Sequence, residues 1–445
     1  MRALDLKKMY CTLVVAGGCL APLAHAQDLT RLGGDATSDL PPSVALELPA
    51  PNIGTQELSR RHIQSHADFH GSFEARAVKG QRVLGPFFNH NSCGGCHFKN
   101  GRGAVAFSSS AEGSSLILKV GLRGLNSDGS PRNVPGVGEQ LQDHTSDGKV
   151  RFKIRLRFRT ERGSYPDGTA YTLRRPLVRF SVPNVDSNRI VTSLRMTPPV
   201  IGMGLLEAVP AHRIFALVDP ADRDKDGISG RASFVPDLET GKYALGRFGW
   251  RATHPTLKQQ TAAAFAHDMG MTNELFRDSD GAFEVPSDLL DQVRFYQQAA
   301  GVTPARDQNN SDVVAGKALF QRINCSGCHT MTLVTGESPY SGVANQVIHP
   351  FTDLLLHDMG VGLKDNRPEF SASGKEWRTP PLWGIGLAEV LTLSQKRIGF
   401  LHDGRARTIE EAILWHRGEA QRSRDAFKSL RRNEREQLIT FLRSL

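Results

Sequence analysis

The sequence predicts a mainly α-helical chain of two small domains, with a β-containing insert in the N-terminal part. Three observations carry this reading. The same five-residue unit occurs twice, as Cys93-Gly94-Gly95-Cys96-His97 and as Cys325-Ser326-Gly327-Cys328-His329. Apolar residues on either side of the second unit recur at helical spacing. Between the units lies a long stretch where apolar and charged residues alternate with the period of a strand. A length of 445 residues suits two or three domains. With 39% hydrophobic and 23% charged residues, the composition excludes a disordered polymer, a polytopic membrane protein and a collagen-like fibre. The formal charge of +9 comes without a block of consecutive basic residues, so no nucleic-acid partner is expected.

The first element is residues 1–26, which read as a signal peptide. Arg2, Lys7 and Lys8 precede an apolar run from Met9 to about Leu23, closed by Ala24-His25-Ala26, the small-x-small pattern of a cleavage site. Gln27 would begin the mature chain. The run is short and broken by Gly17, Gly18 and Pro22, so export to the periplasm without stable membrane insertion is the expectation. Cys19 after Gly18 faintly suggests a lipoprotein site, but the upstream leucine of such a site is missing.

Of the six cysteines, Cys11 and Cys19 leave with that segment, and the other four all lie in the repeated unit. Cys-x-x-Cys-His is the attachment pattern of a c-type haem. Two thiols at this spacing can form thioethers with the two vinyl groups, and the adjacent imidazole then falls under the iron. Two covalently bound haems c are therefore expected, through Cys93 and Cys96 and through Cys325 and Cys328, with His97 and His329 as proximal iron ligands. A thioredoxin-like redox pair would leave both histidines unexplained. A shared zinc site would have to draw together two widely separated pairs.

The long insert follows the first unit. Val150, Phe152, Ile154, Leu156 and Phe158 alternate with charged residues, and Tyr171 to Ser181 is a second β-like run. For the far side of the first haem, His144, His212, His254, His267, Met196, Met203 and Met269 are candidates that spacing does not separate. Glu207, at the end of the apolar run Gly202–Leu206, is a candidate catalytic acid, or else a salt-bridged structural carboxylate. Trp250 and Trp383 could stand between the haems or simply pack. Asp222, Asp224 and Asp226 precede Gly227 at alternate positions, as at the start of a calcium loop, although the twelfth position is Ser233 instead of Glu. Calcium is thus a candidate ligand there, against a solvated acidic turn.

Around the second unit, Val313 to Phe320 can form an apolar-faced helix leading into Cys325, and Glu376 to Trp383 is an extended, proline-stiffened segment. Thr408 opens a capping box with Glu411. In the helix that follows, Ile409, Ala412, Ile413 and His416 share one face. His416 could be an iron ligand or a core histidine bonded to a carbonyl.

The strings GPFFNHNSCGGCHFKNGRG (85–103), GMGLLEAVP (202–210), RTPPLWGIGL (378–387) and LHDGRARTIEEAILWHRGEA (401–420) together resemble the bacterial di-haem oxidoreductases, relatives of the di-haem cytochrome c peroxidases. The resemblance runs from about Phe69 to the C-terminus. It implies two cytochrome c-type domains, at 27–300 with the insert and at 301–445. One haem would be peroxidatic, and the other would receive electrons from a small periplasmic donor such as a cytochrome or cupredoxin. The substrate would be a small-molecule oxidant or another small substrate. It also implies that His416 is the distal ligand of the second haem, where the peroxidases carry methionine; Met359 is the competing assignment. The segment before His402, from Gln395, lacks the pattern associated with an interhaem calcium, so that ion is not expected. The alternative of a different class is a non-catalytic di-haem electron-transfer cytochrome.

Overall fold

The computed structural model describes residues 29–73, 84–107, 115–388, 391 and 398–445. The expected signal peptide and the segment from Gln395 to Arg397 lie outside the described residues.

The chain is not mainly helical: 32% is helix and 19% strand, the strands forming many small sheets. The expectation of a mainly α fold is corrected by short strand pairs of two to four residues, Phe87–Phe88 with His144–Thr145, Leu333–Val334 with Val347–Ile348, Leu356–Asp358 with Glu376–Arg378, and Phe234–Asp237 with Lys242–Leu245. Strands this short have no readable period, because what pairs them is tertiary approach.

The insert holds the longer strands. Leu116–Leu125 runs antiparallel to Ile190–Met196 in a three-stranded sheet completed by Pro131–Arg132. Leu116, Leu118 and Val120 are buried in the cluster on one side of it, whereas Ile117, Lys119 and Arg195 line a cavity on the other. The second pair, Arg155–Ser164 with Ala170–Arg179, is a hairpin with most residues exposed or half-exposed. It turns at Tyr165–Thr169, where Gly168 takes φ +84° and so needs no Cβ. This hairpin leans on the C-terminal part of the chain. Arg174 donates to the Gly404 and Arg405 carbonyls, Tyr165 to Glu410 at 2.6 Å, and Arg435 pairs with Asp167 at 2.6 Å.

Two helical supports carry the cysteine units. Gln56–His70, capped by Thr55 Oγ1 accepting from the Leu58 amide at 3.2 Å, packs on Ser287–Ala299. Phe69, Phe73, Phe88, Phe265 and Tyr296 fill the cluster beside the first unit. Ser311–Arg322 packs on Arg432–Ser444 and leads directly into Cys325–Gly327. A side chain at Gly316 would strike the Gln437 carbonyl, so glycine lets these helices approach. Phe320, Phe351 and Phe441 interlock there edge to face. The largest buried cluster runs from Leu29 through Trp383 and Trp415 to Leu445, drawing on residues from both sides of position 300.

Candidate functional site

Cys93–Cys96 forms one helical turn, with Ser92 Oγ accepting from the Gly95 amide at 3.1 Å. Both intervening glycines are sterically required. A Cβ at Gly94 would strike the His70 ring, and one at Gly95 the His90 ring. His97 follows at once, its pKa lowered to about 4 by burial, with the Pro198 carbonyl pulling the other way. Burial also pushes the Cys96 thiol up. A cavity of about 550 Å³ opens beside Cys93, Cys96 and His97, within the size of cofactor pockets.

Of the candidates for the far side of this cavity, His254, His267, Met196, Met203 and Met269 line it, together with Trp250. His144 and His212 are placed elsewhere. His144 is bonded to Asp143 at 3.1 Å and stacked on Phe88, and His212 is exposed. His267 is paired to Glu139 at 2.9 Å. His254 is different: burial lowers it to about 3, and its Nδ1 is buried without a hydrogen-bond partner.

Behind His254 lies a layer of charge from the sheet. Arg195 pairs with Glu369 at 2.5 Å, and Arg367, fully buried, pairs with Glu139 at 2.9 Å and with Glu369. Burial opposes the charge of Glu139, yet Lys119 and His267 hold its carboxyl well below the usual range. Nothing in the spacing of these residues marks them. Lys119 and Arg195 meet across a strand pair, and the rest arrive from distant loops.

Glu207 does not line the cavity. Its Oε1 accepts from the Leu257 amide at 2.7 Å and its Oε2 from Gln298, so it caps the helix Leu257–Asp268 at its positive end.

At the second unit, Cys325, Cys328, His329 and His416 each keep some free surface, although protein encloses them closely enough that burial pushes the Cys325 thiol up to about 12 and His329 down to about 4. His329 Nδ1 donates to the Phe351 carbonyl at 3.0 Å, and His416 Nδ1 to the Ala412 carbonyl at 2.7 Å. Carbonyls only accept, so each ring carries its proton on Nδ1 and keeps the Nε2 lone pair for another partner. The two imidazoles lie close enough for His416 to lower His329 further. The helix Ile409–Trp415, capped by Thr408 accepting from Glu411, puts His416 there. Met359 instead packs on the main core and bonds through its amide to the Lys375 carbonyl.

Trp377 stacks on His402 at 3.6 Å and 10°, and the Met196 amide beside the cavity donates to the His402 carbonyl at 2.7 Å. Trp383 is fully buried, donating to the Ile201 carbonyl. The carboxylates of Asp222, Asp224 and Asp226 converge to within 4.8 Å of one another. Asp226 also accepts from Asn324 at 3.0 Å, next to Cys325.

The family model described as "Di-haem oxidoreductase, putative peroxidase" matches residues 27–121, 124–279 and 277–445. The chain belongs to this di-haem oxidoreductase family. Its cofactors are haems and its chemistry is that of an oxidoreductase. No curated protein and no solved structure matches the chain. The residues fit haem at both centres: each thiol pair adjoins a histidine, one beside a cavity of cofactor size and the other close to a second imidazole with a spare nitrogen.

Proposed function

We propose that this di-haem oxidoreductase is a periplasmic enzyme of the cytochrome c peroxidase type, with haem c attached at Cys93 and Cys96 and at Cys325 and Cys328. His97 and His329 are the proximal ligands. His416 is the distal ligand of the second haem, which takes electrons from a small cytochrome or cupredoxin, while a small oxidant reacts in the cavity beside His97. The observation that carries this assignment is the asymmetry between the centres: two neighbouring imidazoles are tethered through Nδ1 to carbonyls at one, whereas a roomy cavity lined by His254, whose Nδ1 has no hydrogen-bond partner among the described residues, adjoins the other.

Bound haem would supply the electrons and the iron at which an oxidant is reduced. Reduction of hydrogen peroxide to two waters also consumes two protons. His254 lines the cavity, and its Nδ1 has no hydrogen-bond partner among the described residues, so an imidazole nitrogen stands where peroxide protons must be moved. Lys119 and Arg195 on the cavity wall favour negative charge developing there. The loop of Asp222, Asp224 and Asp226 is a candidate calcium site bracing the second cysteine turn through Asn324.

The test is turnover: peroxide added to the holoprotein with a reduced cytochrome or cupredoxin should oxidise the donor catalytically. Anaerobic spectra of the half-reduced protein should contain one high-spin and one low-spin haem. Two low-spin haems and no turnover would leave the electron-transfer cytochrome as the function.

A further inference from the structure

A separate cluster lies on the outer side of the first cysteine turn. The helix Gln56–His70 carries His62, His66 and His70 on successive turns of one face. The rings of His66 and His70 stack at 4.4 Å. Glu47 comes from another segment, and its main chain is fixed twice over. The Leu46 carbonyl accepts from Asn100 Nδ2 at 2.5 Å and the Glu47 carbonyl from His62 Nε2 at 2.9 Å. These bonds spend no atom of the Glu47 carboxylate, which is left facing the two outer histidines.

We propose that Glu47, His66 and His70 bind one divalent transition-metal ion of the zinc or copper class. Glu47 Oε1 stands 3.8 Å from His66 Nε2 and 3.6 Å from His70 Nε2. Those separations are too long for hydrogen bonds, but they approach the edge of roughly 3.4 Å of a tetrahedron built on metal–ligand bonds of about 2.0–2.1 Å. One ligand atom from each residue lies within 4.8 Å of the others. Two imidazole nitrogens and one carboxylate oxygen suit zinc or copper and not calcium or magnesium, which prefer all-oxygen shells. Three protein ligands leave a fourth position for water. The Tyr296 hydroxyl donates to Asn100 Oδ1 at 3.1 Å, so in the empty site its oxygen accepts from His70 Nε2 at 3.0 Å, and a bound ion takes the place of that imidazole proton.

His62 and Asn100 are then the outer partners that orient the ligands, and Asn100 belongs to the segment just after His97. The ion would clamp the helix Gln56–His70, whose His70 ring rests on Gly94, against the first haem-binding turn. The side chains of His66 and Glu47 are 39% and 25% exposed, which gives an ion access from solvent.

The test is equilibrium dialysis of untagged holoprotein, stripped with a chelator, against zinc alone, with metal and iron counted together. One zinc per chain is expected beyond the haem iron. His66→Ala and Glu47→Gln should each weaken it by roughly a hundredfold or more, as loss of a direct ligand does, with haem content and visible spectrum unchanged. Asp224→Asn should leave it intact. Absence of the extra zinc, its survival in both His66→Ala and Glu47→Gln, or its loss in Asp224→Asn would overturn the proposal.

Discussion

The two Cys-x-x-Cys-His turns share a motif and differ in their surroundings. The first sits beside a large cavity with a charged wall, and its glycines are pressed against His70 and His90. The second is followed by a close histidine on a capped helix, with both imidazoles tied through Nδ1 to carbonyls. The motif offers the same thiols and imidazole at each turn, while the residues brought opposite set what the centre can do. An open wall with a neutral, unpartnered imidazole suits substrate chemistry, and a pair of tethered imidazoles suits electron transfer.

The largest effect should come from the cysteines. Replacing Cys93 and Cys96 by serine should remove one covalent haem by mass spectrometry and abolish turnover. The equivalent change at Cys325 and Cys328 should remove the other haem and leave the first still able to bind peroxide. A protein that carries no covalent haem at either turn would end the comparison. Next come the facing histidines. His416→Gly should turn only the second haem high-spin, and Met359→Leu should change neither. A thioether charge-transfer band in the natural protein would reverse that assignment. His254→Ala should lower peroxide turnover by roughly 10²–10⁴, the usual contribution of a positioned acid–base group, while reduction of the second haem by the donor is unchanged.

How much of this was legible follows from where each residue's information lies. The thiol pairs and their histidines are local, so spacing alone names them. The capped helix ending at His416 and the helix Ser311–Arg322 were readable for the same reason: caps and apolar periods are short-range. The strand alternation from Val150 located the hairpin, although pairing starts only at Arg155. Glu207 misled because a carboxylate after an apolar run looks the same whether it caps a neighbouring helix or faces a cavity. The charged wall was invisible, since Lys119, Glu139, Arg195, Arg367 and Glu369 meet only after the sheet and loops have folded. The mainly α expectation failed because strand pairs of two to four residues leave no pattern. One signal was present and overlooked: His62, His66 and His70 repeat at the helical turn.

The charged wall should also carry stability that the second centre does not need. Glu369 is 4% exposed and accepts from both Arg195 and Arg367. Glu369→Gln would leave two buried guanidiniums short of countercharge, and breaking a buried pair in this way costs about 3–5 kcal/mol. Urea unfolding of the holoprotein should show that loss. A change below about 1 kcal/mol would mean that Glu139 alone balances the arginines.

The smallest effect concerns the stack of His402 on Trp377. Burial holds His402 down at about 3, with Asp403 pulling upward and Arg405 adding to the depression. The folded state therefore keeps this imidazole neutral while the unfolded chain protonates it near its ordinary value of 6.5. Below that value the unfolded state binds the extra proton, so stability is full above about pH 6.5 and is lost as pH falls toward 3. Between pH 6 and pH 5 one such group takes away about 1 kcal/mol. His402→Phe keeps an aromatic ring against Trp377 and removes the titration, so the fall in stability over that interval should shrink by about that amount. An unchanged slope would place the acid sensitivity in the other histidines that burial keeps neutral, among them His62, His90 and His254.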